Sequence, residues 1–382
     1  MKQATRFVGL DVHAESIAVA VAESGRKGEV RSLGRVPNRL ESVRKLIQKL
    51  GGPKGLQVCY EAGPTGYALY WQLTKLGVEC EVIAPSLIPT KPGERVKTDR
   101  RDAEKLARCY RAGELTTVWV PDPDHEALRD LVRAREAAKK DQLRARNRLG
   151  KFLLRAGVRS PNDTKAWGSV HMEWLRRLRF DHAAQQATMV DYLGEIDHVA
   201  ARIQRLEEAI DEAVKDAPPM MREVIGALQA LRGFAKLAAT TIAVEIGCFT
   251  RFERAKQLMG YVGSTPSEYS TGGSRRLGAI TKTGNAHVRR VLYEVAWAYR
   301  HRPALGTALK RRQRGLPTDI VEVAWKAQHR LHRRYAALVA KAKPHCKVIT
   351  AIGRELLGFV WAIATRVEQA YANKEGVDRA AA

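Results

Sequence analysis

An α/β unit followed by a helical remainder is the fold class that the 382-residue sequence predicts, and three observations predict it. Residues 6 to about 112 alternate short apolar runs with helix-period stripes. Beyond the prolines near residue 121, apolar positions recur three and four apart. One island rich in Gly, Ser and Thr, residues 260–285, interrupts those helices.

The elements follow in order. Arg6 to His13 leads into the alternating Ser16 to Ala22 and reads as strand, turn, strand. Val30 to Val36 is a third strand, and Leu40, Val43, Ile47 and Leu50 form a helical stripe. Leu56 to Glu61 is a strand stopped by Gly63-Pro64-Thr65-Gly66. A helix carrying Tyr67, Tyr70, Leu73 and Leu76 follows, then a strand from Val78 to Ile83. Lys97 to Asp102 opens a helix patterned by Ala103, Leu106, Ala107 and Tyr110. Val118 to Asp124, with two prolines, reads as a linker, and Glu126 to Gly157 as one long helix turned by Gly157 to Asp163. Ile196, Val199, Ile203, Leu206 and Ile210 make an a/d stripe about two heptads long. That stripe fits a hairpin packed on its own domain or a coiled-coil arm between chains. Helix resumes near Met220, where Arg232 to Ala235 faintly resembles a phosphate-gripping turn between helices, without its second glycine.

Four acids stand out against this layout. Asp11 lies on the first strand, Glu61 ends another, and Asp99 and Asp102 open a helix, three apart and so on one face. Taken singly, each reads as a turn residue or as an acid favoured at a helix start. Taken together, acids from three separate segments suit a hard divalent cation, and a pair of Mg²⁺ ions is expected to clamp a phosphodiester there.

Charge sets the partner. With 66 Lys and Arg against 41 Asp and Glu, the net charge is +25. Such a surface attracts polyanions and gains from counterion release on nucleic acid. No apolar run is expected to reach the ~18–20 residues of a spanning helix, so no membrane is predicted. The N-terminus has no signal-peptide core, and the five cysteines form no CxxC pair. They read as buried thiols of a reducing cytosol, without disulfides or zinc.

The island at 260–285 places Ser270 and Thr271 before Gly272-Gly273, close to Arg275, Arg276 and Lys282. A hydroxyl nucleophile there would have cations to neutralise the phosphorus it attacks, or the loop merely grazes phosphate. Its base is not evident in the loop, which leaves the N-terminal acids as candidates. Arg289, Arg290, Arg311, Arg312 and Arg314 continue into a one-sided basic run, a footprint for a nucleic-acid backbone. Trp297 and Trp325 within it read as core.

The chain resembles the DEDD transposases of bacterial insertion sequences, a group of RNA-guided recombinases. The resemblance rests on Gly9-Leu10-Asp11, on Tyr60 to Tyr67 and on Lys97 to Ala103, and in the second half on Thr265 to Gly273 and Ile280 to Asn285. It implies an RNase H-like (RuvC-like) domain over residues 1–118, a helical hairpin or coiled-coil arm over 124–216, a mostly helical transposase domain over 217–373 and a tail over 374–382. It also implies Mg²⁺ at Asp11, Glu61, Asp99 and Asp102 and a serine that joins DNA covalently. Donor and target DNA, a non-coding guide RNA and a homo-oligomer (dimers assembling to a tetramer) are the implied partners, in the bacterial cytoplasm at the nucleoid. Family members usually carry Ser immediately before the first glycine, where this chain has Thr271. Ser270 is the expected nucleophile, because a primary hydroxyl is less hindered than a β-branched one.

Overall fold

The computed structural model describes residues 5–25, 28–90, 93, 97–161 and 165–381, with side chains as far as Lys374. It divides into two compact units, Met1–Val120 and Pro121–Ala382.

In the first unit β1 (Arg6–Val12), β2 (Ser16–Glu23), β3 (Val30–Pro37), β4 (Leu56–Glu61) and β5 (Glu79–Ile83) form one sheet, ordered β3-β2-β1-β4-β5. β1, β4 and β5 run parallel, and β2 and β3 are antiparallel additions. α1 (Leu40–Lys49), α2 (Ala68–Lys75) and α3 (Asp99–Ala112) complete the unit. The period-2 alternation of β2 dictates which helix covers which face. Ile17, Val19 and Val21 join Leu46, Ile47, Leu69 and Leu73 of α1 and α2 in one core, while Ala18, Ala20 and Ala22 meet Ala103 and Ala107 of α3.

Small residues on the second face let α3 lie very close to the sheet. Gly9 is the extreme case: a Cβ there would come within 2.4 Å of the Ala103 carbonyl oxygen. This contact fixes the start of α3 above the end of β1.

The second unit is helical apart from one hairpin. It comprises α4 (Pro123–Arg155), α5 (Ser169–Arg177), α6 (Ala183–Asp216), α7 (Pro219–Leu228), α8 (Lys236–Ile246), α9 (Ala255–Tyr261), β6 (Pro266–Thr271), β7 (Ser274–Ile280), α10 (Ala286–Ala296), α11 (Thr307–Gln313), α12 (Thr318–Ala340) and α13 (His345–Ala381). The linker is shorter than the prolines imply. Pro123 occupies the first turn of α4, where a missing N–H costs nothing, and Asp122 caps it by accepting from the His125 N–H at 2.8 Å. The a/d stripe of α6 faces α4: Val199 and Ile203 pack on Ala138, and Ile196 joins Ala145, Leu149 and Phe152. The stripe is therefore filled inside the chain as a hairpin. Asn162 and Asp163 of the turn after Gly157 lie outside the described residues, as do Ala382 and the tail's side chains beyond Lys374.

Three expectations need correction. The segment His345–Lys374 is long and apolar enough, by length and composition, to cross a membrane. Its apolar residues Ile349, Ile352, Leu356, Leu357, Val360 and Ile363 are instead the centre of the second unit's core. Trp325 lies at the surface, 38% exposed, whereas Trp297 packs on the core. The thiols divide similarly: Cys59 and Cys109 are buried, and Cys346 is exposed.

Candidate functional site

The register of the parallel strands brings the first two acids side by side. Leu10 pairs with Tyr60, so Asp11 and Glu61 stand one step further along neighbouring strands, at their C-terminal ends. Both fall on the face that α3 covers, since Gly9 and Cys59, two residues back, touch α3. Thr98 caps α3 by accepting from the Arg101 N–H, which sets Asp99 and Asp102 in its first turn. Ligand atoms of Asp11, His13 and Asp99 lie within 4.8 Å of one another. Glu61 and Asp102 line an adjoining 260 Å³ pocket with Lys97, Arg101 and Lys105.

The described charges of this cluster pull in opposite directions. Burial pushes the Asp11 carboxyl above its ordinary value, His13 pulls it back, and Asp99 and Asp102 push it up again. His13 Nε2 is 3.4 Å from both Asp11 and Asp99, Arg35 reaches Asp99 at 2.6 Å, and Lys97 approaches Asp102 at 4.0 Å. His13 and Arg35 escaped the sequence reading. Asp-x-His at the end of a strand is a signal that could have found the first. Nothing local marks Arg35, which is 64 residues from its partner.

The Ser- and Thr-rich island is a β-hairpin, not an irregular loop. Thr271 pairs with Ser274 across Gly272-Gly273, and Gly272 takes φ +55° as such a tight turn requires. Ser270 and Thr271 are both exposed and point to opposite faces. Ser270 pairs with Arg275, and its hydroxyl donates to Glu268 Oε1 at 2.8 Å. The guanidinium of Arg275 grips the same carboxylate at 3.0 and 3.3 Å. Arg276 and Lys282 are exposed.

The foot of this hairpin is tied down by hydrogen bonds. Thr281 N–H donates to Thr265 O at 2.9 Å and Lys282 N–H to Gly263 O at 3.0 Å. Arg289 donates to the carbonyls of Val262, Thr283 and Gly284, so it braces the foot rather than facing solvent. Asn285 caps α10 and donates to Glu245, a fully buried carboxylate that Arg133 holds bidentately at 2.7 and 2.8 Å. Next to it Glu136 accepts from His287, Lys140 and Arg290. Arg290 also pairs with Glu294, and Arg312 donates to Gln229 O, whereas Arg311 and Arg314 are exposed. Arg289, Arg290 and Arg312 are thus committed to protein partners. The turn at Arg232 is likewise turned inward: Phe234 is buried and Arg232 donates to Arg302 O.

Burial would raise the Glu136 carboxyl, but hydrogen bonds from His287 and Lys140 and the charge of Arg290 bring it down to about 2. Its folded value lies below the ordinary 4.5, so its stabilisation is complete above that pH and fades as pH falls towards 2. The melting-temperature gap between wild type and Glu136→Gln should therefore narrow across that window. A gap independent of pH would mean the network does not stabilise the fold.

Carboxylates gathered at strand ends under a helix start could hold the divalent ions with which one class of enzymes acts on phosphodiester backbones. The comparisons specify which. The transposase IS116/IS110/IS902 family matches residues 226–310, and the DEDD transposase family of IS110 matches residues 8–157. A putative transposase, y4qE, of Sinorhizobium fredii is 45% identical over 366 residues, covering 95% of this chain and 89% of that protein. The transposase for insertion sequence element IS1533 of Leptospira borgpetersenii is 32% identical over 340 residues, covering 88% and 97%. This chain belongs to the IS110 family of DEDD transposases. It is an insertion-sequence transposase, an enzyme that cuts and rejoins DNA.

Proposed function

We propose that the enzyme recombines DNA through a serine nucleophile on the β6–β7 hairpin together with a divalent-metal site in the first unit. The observation that carries this reading is the Ser270 hydroxyl. It is exposed at the hairpin tip, hydrogen-bonded to a carboxylate and flanked by Arg275 and Arg276. A hydroxyl needs a proton acceptor and nearby positive charge to attack phosphorus, and both stand beside it. Thr271 is β-branched and adjoins the turn.

The sheet order, with acids on β1, β4 and α3, supports an RNase H-like (RuvC-like) first domain. Asp11, Glu61, Asp99 and Asp102 would hold Mg²⁺, and the upward push that Asp99 and Asp102 exert on Asp11 is the repulsion a cation relieves. Bound there, a divalent ion would neutralise charge on the scissile phosphate. Asp11 and Asp99, with His13 between them, would help hold that ion, while Lys97, Arg101 and Lys105 offer a phosphate a positive rim. The net charge of +25 supports nucleic-acid partners. The family resemblance alone extends this to a non-coding guide RNA beside donor and target DNA, dimers assembling to a tetramer, and a cytoplasmic, nucleoid setting. Arg276, Lys282, Arg311 and Arg314 are the exposed candidates for backbone contact.

The test uses protein co-expressed with its own element, so that any RNA partner is present, and element-end duplexes with a bridging phosphorothiolate. Ser270→Ala should abolish the covalent protein–DNA adduct on denaturing gels while leaving DNA binding intact, and Thr271→Ala should retain the adduct. The reverse pattern would make Thr271 the nucleophile. Cleavage without any adduct, unaffected by both changes, would leave the carboxylates acting alone.

A further inference from the structure

We infer that Glu268 is the general base for Ser270, so that the hairpin carries its own nucleophile and base. This inference rests on the serine reading above and deepens it. Glu268 and Ser270 are two residues apart on β6, so their side chains share one face, and the hydroxyl donates to Glu268 Oε1 at 2.8 Å. That length is within the range at which a carboxylate can take a hydroxyl proton directly. Opposite them on β7, Arg275 holds the same carboxylate through Nε and Nη2. Base, nucleophile and cation therefore come from one small sheet whose foot is locked.

Each group has a distinct part. The hydrogen bond from Ser270, and then the guanidinium of Arg275, hold the Glu268 carboxyl below its ordinary value, so it is ionised at neutral pH. Arg275 has an exposed guanidinium, 70% accessible, beside both Glu268 and the hydroxyl. It can turn one N–H to an incoming phosphate, and any loosening of its grip makes Glu268 a stronger base. In the forward step the Ser270 Oγ–phosphorus bond forms, the Oγ proton passes to Glu268, and the bond from phosphorus to the leaving sugar oxygen breaks. That oxygen takes a proton from water, and Glu268 returns its own to solvent. Rejoining runs the same path backwards: a sugar hydroxyl displaces Ser270, and protonated Glu268 hands the proton back to Oγ.

A purely structural Glu268 would only orient Arg275. The two roles separate in a pH profile of adduct formation, measured on the same duplexes and RNA-bearing full-length protein. Glu268→Gln keeps the shape and an acceptor for the Ser270 hydroxyl but cannot take its proton. Its adduct rate at neutral pH should fall about 10²- to 10⁴-fold, the usual range for a lost general base. The rate should then climb about tenfold per pH unit as hydroxide replaces the base, whereas wild type stays flat. Glu268→Asp should recover part of the rate and the flat profile, and DNA binding should be unchanged in both. A Glu268→Gln protein within threefold of wild type, with the same profile, would overturn the inference while leaving Ser270 as nucleophile. An adduct that persists in Ser270→Ala would overturn the serine reading beneath it.

Discussion

Asp11→Asn should abolish strand cleavage and transposition, and it should do so without loosening the fold. The expected loss exceeds the roughly 10- to 100-fold that follows from disturbing an outer-shell partner of a metal ligand. The stability prediction has the opposite sign. Asp11 is raised above its ordinary value by burial and by two neighbouring acids, so its ionised form is disfavoured in the folded state above that raised value. An amide removes this cost, and in metal-free buffer Asp11→Asn should melt at or above the wild-type temperature. Millimolar MgCl₂ should raise the melting temperature of wild type and fail to raise that of Asp11→Asn. A variant that responds to MgCl₂ as strongly as wild type would show that Asp11 holds no ion, and one that melts lower without metal would overturn the stability prediction. Asp102→Asn should lose activity in parallel, since Asp102 is one of the two acids pressing on Asp11.

What the sequence discloses here depends on how local the physical cause is. The alternation of β2 is local, and it fixed both which face is apolar and which is small enough to admit α3. The three-residue spacing of Asp99 and Asp102 is local too, and it sets both in one helical turn. The hairpin was within reach, because two glycines between two short runs are a hairpin signal. Composition hid it: Ser, Thr, Tyr and Arg on strands exposed on both faces show no apolar period. Glu268 was hidden with it, since its relation to Ser270 exists only once the segment is extended. The arginines were the least legible. Arg276 and Arg289 look alike in sequence, yet one faces solvent and the other grips three carbonyls of the hairpin foot. Which one is engaged depends on where a distant backbone passes, and charge alone does not record that. For α13, length and apolarity matched a spanning helix, and only its packing partners show it to be a core helix.

The largest loss of structure should come from the hairpin foot. Gly284 has φ +74°, and a Cβ there would lie 1.9 Å from the Tyr261 carbonyl oxygen. Gly263 has φ +69°, and its Cβ would lie 1.8 Å from the Thr283 carbonyl oxygen. The two segments thus pass backbone to backbone, each needing the other to lack a side chain. A left-handed conformation alone costs a non-glycine residue about 1–2 kcal/mol. Relief of the clash adds to this, because it must move backbone rather than a flexible side-chain end. Gly284→Ala should therefore destabilise the second unit by at least about 2–3 kcal/mol, read as a fall in melting temperature. It should also displace Asn285 and so unsettle the Asn285–Glu245–Arg133 network that anchors α10. Gly272→Ala is the control: φ there is +55°, but nothing lies within 4 Å of its Cβ, so only the conformational cost applies. A Gly284→Ala protein as stable as Gly272→Ala would mean the foot yields freely. The hairpin would then not be held in place for Ser270, and the serine site would lose its rigid mount.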